Sequence, residues 1–280
     1  MTAVVAAPPP GPTLTVTVGP RNAYTDPESG LRYYVWQGRD LPSVTSIRRM
    51  AGLPHGLHQW AIGKVIDAAI NGHKGIGERL ASGDPAAVAV IKHELRMAAT
   101  AERDAAASLG TAVHDAAAAG LTLDEVSSDI APRLQQFYDW LAKSGAEILG
   151  SEFQVWNLTL GYAGTADALV RLRDGSIWVV DYKTGKGVYG EFALQLIAYL
   201  MAEFVGNDGV VDDELTGHLL AASGMAILHL GGDGWEFRAI EADAATWSAF
   251  RGLLAFAVWM KDHGTADSIT TASRRSEVVG

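Results

Sequence analysis

The stretch GTADALVRLRDGSIWVVDYKTG, residues 164–185, decides the architecture. Its two arms are apolar and rich in β-branched residues, and they meet at Asp174-Gly175, a dipeptide suited to the positive φ angles of a tight hairpin turn. Two antiparallel strands follow. Pairing across that turn brings Asp167 close to Asp181, which stand seven residues before Asp174 and six after Gly175. Asp167 lies among small and apolar residues, where an unpaired carboxylate is costly to bury, so it calls for a cation. Two carboxylates that close repel each other unless a metal lies between them. Side chains alternate along a strand, so Asp181 and Lys183 share a face while Tyr182 points the other way. An acid beside an ammonium at a strand end suits phosphate chemistry: the acid holds a hard divalent cation, and the lysine orients a water and offsets charge on a phosphate. Taken alone, an Asp-x-Lys is an ordinary surface ion pair worth little. The neighbours change its meaning.

Working outward, SEFQVWNLTL (residues 151–160) reads as a third strand, so three successive strands each carry an acid, Glu152 being the first. By itself Glu152 also reads as a solvated acid at a strand start. After DYKTG a helix over residues 189–204 places Gln195 and Tyr199 four apart on one face. An acidic loop, strands in MAILHL and WEFRAI, and a final helix over 244–260 complete this half. On the N-terminal side, a helix over 132–143 keeps Leu134, Phe137, Trp140 and Leu141 on one face. Asp84-Pro85 is an N-cap and first-turn pair for an Ala-rich helix running to about residue 109. Gly110 and Thr111 then read as a break or kink, and AVHDAAAAG resumes helix, with His114 among alanines as either a structural histidine or a ligand. A strand over 31–36 and a helix capped by Ser43 precede these. Residues 1–13, with Pro8, Pro9 and Pro10, read as an arm and residues 264–280 as a small, polar tail. Between them we expect one domain, 14–263, with a mostly helical lobe over 14–109 and a core over 110–263.

Composition bounds the chemistry. With 22 Lys and Arg against 32 Asp and Glu, the net charge of -10 makes nonspecific coating of nucleic acid by the whole chain untenable, so any DNA contact needs a local patch. Zero cysteines exclude disulfides, a Cys-ligated zinc, an iron-sulfur cluster and thiol catalysis. No run approaches the roughly 18 apolar residues of a spanning helix, and no basic segment opens a secretory signal, so we expect no membrane association and a cytoplasmic location.

In order, GTAVHDA, SEFQV, GTADALV, DYKTG and QLIAY resemble the PD-(D/E)XK nuclease superfamily, in its RecB-like branch that includes phage-encoded exonucleases. LPSVTSIRRM and HQWAIGK are also similar to the start of such nucleases, so the resemblance runs from about residue 41 to residue 199. It implies a mixed α/β (α+β) fold with a restriction-endonuclease-like core, in which a central mixed sheet is flanked by helices. The implied activity is metal-dependent hydrolysis of DNA phosphodiesters, as an exonuclease in phage-type recombination, repair or DNA processing. On that pattern His114, Asp167 and Asp181, with the Tyr182 backbone carbonyl, bind Mg²⁺ or Mn²⁺, and Lys183 positions or activates the attacking water. Glu152 supports the metal site or its water, and Gln195 and Tyr199 steady the site or contact DNA. Related CRISPR-adaptation nucleases carry a cysteine-ligated iron-sulfur cluster, which this chain cannot build. The implied partners are DNA and either a second copy of the chain or a recombination protein, with the host cytoplasm as location for a phage-encoded enzyme.

Between residues 20 and 64, Arg21, Arg32, Arg39, Arg48, Arg49 and Lys64 outnumber Asp26, Glu28 and Asp40, so this lobe is the candidate phosphate-contacting surface, with Arg48 and Arg49 as substrate-binding candidates. Trp36 and Trp60 suit either base stacking or burial. No Lys or Arg occurs between Lys186 and Arg238, a face expected to look away from DNA. Three readings compete: an endonuclease of the same fold, a non-catalytic DNA-binding relative, and a nucleotide-binding oxidoreductase using the G-x-G-x-x-G match from Gly185 to Gly190. His55 and His58 lack the further nearby ligands of a zinc site.

Overall fold

The computed structural model describes residues 22–27, 29–52 and 55–263; the expected arm and tail lie outside them. The strands are β1 (Ala23–Thr25), β2 (Arg32–Trp36), β3 (Arg39–Pro42), β4 (Glu147–Asn157), β5 (Tyr162–Arg171), β6 (Ile177–Lys183), β7 (Phe204–Asn207), β8 (Val210–Val211), β9 (Gly224–Gly231) and β10 (Gly234–Ile240). The helices are α1 (Val44–Arg49), α2 (His55–Asn71), α3 (His73–Ala81), α4 (Pro85–Ala119), α5 (Ala131–Ser144), α6 (Glu191–Leu200), α7 (Asp213–Leu220) and α8 (Ala244–His263). β1, β2 and β3 form a small sheet, and the others form a seven-stranded mixed sheet in the order β10-β9-β6-β5-β4-β7-β8. Neighbours in that sheet are antiparallel except β6 and β9, which run parallel. A mixed α/β fold results.

Both faces of the large sheet are covered, which explains the nearly unbroken apolar runs in β5, β6 and β9. On one face α1, α6 and α8 bring Val44, Ile47, Leu196 and Phe250 against Phe153, Val155, Val179 and Ile227. On the other, α5 and the end of α4 bring Val113, Leu134, Phe137 and Trp140 against Ala168, Val170, Val180 and Leu228. Leu134, Phe137 and Trp140 are buried as their spacing predicts, each contributing about 1.5–3 kcal/mol by leaving water. The small sheet packs Tyr34 and Trp36 on Trp156. Trp36 is therefore core and no platform for a base.

The expected hairpin is present, with Gly175 at φ +86° in the turn and Ala168 opposite Val180. Ser43 caps α1 through the Ser46 N–H, and Asp84 caps α4 through the Ala86 N–H. Three expectations need correction. The helix expected to break at Gly110 and Thr111 is continuous over 35 residues. One glycine costs about 1 kcal/mol relative to alanine, too little to interrupt Ala-rich flanks. A Cβ on Gly110 would lie 3.1 Å from Thr184 Oγ1, so this glycine lets the loop after β6 approach the helix. The acidic loop is instead the β7–β8 hairpin followed by α7. Its acids are a turn residue, Asp208, an N-cap, Asp212, which accepts from Leu215 N–H, and first-turn residues Asp213 and Glu214. The helix after DYKTG spans only Glu191–Leu200, because Phe204 is taken into β7. The N-terminal lobe holds α1 to α3 together with the small sheet, and α4 runs unbroken from it into the core.

Candidate metal centre

The site sits in a fork of the large sheet. β5 and β6 pair only as far as Ala168 and Val180; beyond that point β5 stays with β4, while Asp181, Tyr182 and Lys183 pair with β9. The divergence would leave the Tyr182 N–H without a ladder partner. Asp167 Oδ2 accepts it at 2.7 Å, which fixes that carboxylate in the gap. On β4, Glu152 lies between Ser151 and Phe153, whose partners Ala168 and Ala166 flank Asp167. Its φ of +49° is a left-handed conformation rare outside glycine, and strain of this kind gathers at functional sites.

Across the fork, α4 presents His114. Its Nδ1 lies 3.4 Å from Asp167 Oδ2 and 3.9 Å from Glu152 Oε1, and its ring stands edge-on to Tyr182 with centroids 5.6 Å apart. One ligand atom each from His114, Glu152 and Asp167 fall within 4.8 Å of one another. One imidazole nitrogen and two carboxylates suit a divalent cation with oxygen and nitrogen preference. Electrostatics point the same way: burial, followed by the charges of Asp167, Asp115 and Asp181, pushes the Glu152 carboxyl up to about 8. A cation relieves the crowding that produces this shift.

Asp181 is beside this group and is held by other partners. It is almost wholly buried and ion-paired with Lys183, while Gln195 Nε2 donates to its Oδ1 at 2.9 Å. Burial raises its carboxyl to about 6 against the opposing pull of Lys183. Gln195 also donates to the Tyr199 hydroxyl at 3.1 Å, so the four-residue spacing on α6 builds a buried brace. Burial pushes the Tyr199 and Tyr182 phenols well above their usual value and keeps both neutral. Lys183 Nζ also donates to the Tyr182 carbonyl at 3.3 Å, which places that carbonyl at the same end of β6.

No protein-family model matches the chain. No curated protein matches it either. Among solved structures, one described as SSO0001 is similar at 17% identity, with a TM-score of 0.28; the match covers 46% of this chain and spans 57% of that one.

The two arginine candidates lie outside the cluster. Arg48 is paired with Glu191 at 3.4 Å and sits over the Phe192 ring, against the start of α6, whereas Arg49 is exposed. Phe192 also receives Lys183 Nζ at 5.0 Å from its centroid, so one ring touches both a basic-lobe residue and the site lysine. Sequence reading missed two features. Thr165, just before Asp167, bonds the Tyr34 hydroxyl at 2.9 Å, tying the small sheet to the site; a threonine in an otherwise small, apolar run was its one signal. Glu102 of α4 bridges Lys64 at 2.7 Å and Lys186 at 3.2 Å, tying the helical lobe to the loop after Lys183. No local motif announces a contact across 84 residues.

Proposed function

We propose that this protein is a metal-dependent deoxyribonuclease with a PD-(D/E)XK core that hydrolyses DNA phosphodiester bonds, acting as an exonuclease. One observation carries the reading: acids from three successive strands, a helical histidine and a strand-end lysine converge at one fork of the sheet. A random Asp-x-Lys on a surface has no such company. His114, Glu152 and Asp167 would hold Mg²⁺ or Mn²⁺, with Asp181 and the Tyr182 carbonyl at its border. When bound, the cation supplies Lewis-acid stabilisation of the phosphate oxygens and lowers the pKa of a water.

The chain's own groups do the rest. Lys183 Nζ, partly exposed at the strand end, donates a hydrogen bond to orient a water and offsets the negative charge that grows on the phosphate. Asp181 holds that ammonium in place, Gln195 fixes the Asp181 rotamer, and Tyr199 fixes Gln195. His114 presents Nδ1 to the two acids and stacks edge-on against Tyr182, which limits its rotation.

The oxidoreductase reading is disfavoured by the backbone. None of Gly185, Gly187 and Gly190 has a positive φ, and Glu191 opens the helix where a pyrophosphate would lie.

The test is cleavage of end-labelled linear DNA beside closed circular DNA with Mg²⁺, Mn²⁺ or EDTA. Metal-dependent loss of linear DNA that spares circles is expected, and cutting of circles would make the enzyme an endonuclease. DNA bound but never cut would overturn the catalytic reading in favour of a DNA-binding relative. Calorimetry should show Mn²⁺ binding weakened by Asp167→Asn and Glu152→Gln, and unaltered titrations would remove them as ligands.

A further inference from the structure

The lobe formed by α2, α3 and the first part of α4 has almost no interior. Among described residues, none of α2 or α3 is buried, and only Ala87 and Ile91 are buried between Pro85 and Leu109. On α2, Ile62, Ile66 and Ile70 are 43%, 51% and 62% exposed. Spaced by four, they form one continuous ridge along the helix. Beside the ridge lies a shallow hollow lined by His58, Ala61, Ile62 and Val65 of α2 and by Ala99 of α4, almost entirely apolar.

We propose that this face is a homodimer interface, occupied by α2 of a second copy of this chain running antiparallel to the first. Three observations select a second copy. Ridge and hollow lie on the same helix, which is what a two-fold, self-complementary interface requires. With Ile66 at the axis, Ile70 of one copy meets Ile62 of the other, at the edge of its hollow. Charge agrees: residues 55–109 carry six Lys and Arg and six Asp and Glu, whereas the rest of the chain carries 16 and 26. The lobe is therefore neutral on a chain of net charge -10, and two copies meet there without the repulsion they would face elsewhere. Area is adequate. A 17-residue helix is about 25 Å long and a pair of packed helices about 20 Å wide, so the face of α2 and α4 offers about 500 Å² in plan. Two such faces bury about 1,000 Å² together, in the range of weak, transient interfaces that dissociate on dilution. A polyanion such as DNA gains nothing from an isoleucine ridge.

Self-association of this kind requires nothing of the carboxylate site, and its test needs no nuclease assay. Sedimentation equilibrium on the full chain should show the mass of two chains at high concentration, falling to one on dilution. Ile66→Lys should hold it at one chain, while Ile66→Leu should still dimerise. Circular dichroism checks that the lysine variant is folded, as exposure of Ile66 predicts. The chain has no cysteine, so Ile66→Cys adds a lone thiol. On mild oxidation it should cross-link to a disulfide dimer, while Val210→Cys, exposed on the β8 edge, should not. A single-chain mass at every concentration, a dimer that Ile66→Lys leaves intact, or cross-linking no faster at 66 than at 210 would overturn the proposal.

Discussion

The fork between β5 and β6 and the lobe of α2 to α4 are built on opposite terms. In the fork, buried polar groups hold one another: Asp167 accepts a backbone N–H, Asp181 is held by Lys183 and Gln195, and Gln195 by Tyr199. In the lobe, helices touch mainly each other and isoleucines face water; beyond the run of α4 into the core, surface ion pairs through Glu102 tie it to the site. Buried groups that bond one another resist displacement, whereas exposed ion pairs contribute at most about 1 kcal/mol each. The difference separates a rigid chemical centre from an adjustable flank. Substitutions in the two regions should therefore differ in kind as well as size.

The largest expected effect lies in the fork. Lys183→Ala removes the ammonium that faces the phosphate, and cleavage should fall by about 10²–10³-fold. Folding should survive, because Asp181 keeps its bond from Gln195 and can take up a proton. End-label release rates, compared with the circular dichroism melt of the same variant, check both halves. Retained cleavage would remove Lys183 from the site and leave the fork a structural ion pair.

Much of the fork was legible in the sequence because its determinants are local. The Asp-Gly turn sets the register of β5 and β6, and register sets the Asp167–Asp181 proximity. Spacing by four on α6 sets the Gln195–Tyr199 pair. What the sequence concealed depends on where chains diverge or approach. Nothing local says that β6 parts from β5 after Val180 while it stays paired with β9, so that Glu152 and Asp167 form the cluster with His114. Gly110 looked like a helix breaker because the loop it accommodates, at Thr184, lies 74 residues on. The acids of residues 208–214 looked like loop because caps and strand-turn acids share a loop's composition.

A second prediction follows from the crowding of acids. The Glu152 carboxyl, ordinarily near 4.5 and so in the unfolded chain, is raised to about 8 in the fold, first by burial and then by neighbouring charge. Between those values the unfolded chain binds fewer protons than the folded one, so folding stability falls as pH rises from about 4.5 to about 8. The loss attributable to this group is on the order of 2 kcal/mol, given that part of the side chain still meets water. Urea melts in EDTA at either end of that range should show it, and Glu152→Gln should flatten the dependence. Mn²⁺ should restore stability most at the high-pH end, where the carboxylate is free to bind it. Glu94 and Glu102 of the lobe, whose carboxyls Arg79 and Lys64 hold below their usual value, should not produce such a slope.

One chemical change, glycine to alanine, tests the comparison with opposite signs. Gly164 lies on β5, where an added Cβ would fall 2.7 Å from Tyr199 Cε1 and 3.1 Å from Val44 Cγ2. Both neighbours are buried and packed, so Gly164→Ala should cost about 1–3 kcal/mol. By displacing Tyr199 it should also loosen the Gln195 brace and lower cleavage. Gly63 lies on α2, where a Cβ would meet nothing within 4 Å. There the only consequence is helix propensity, and Gly63→Ala should stabilise by up to about 1 kcal/mol. Urea midpoints of the two variants should therefore move in opposite directions from the parent. If Gly63→Ala destabilised instead, the space beside that turn of α2 would have to be filled in solution. A loss present only at high concentration would place a second copy there, and a loss at every dilution would mean that the lobe packs on its own core more tightly than its exposed ridge implies.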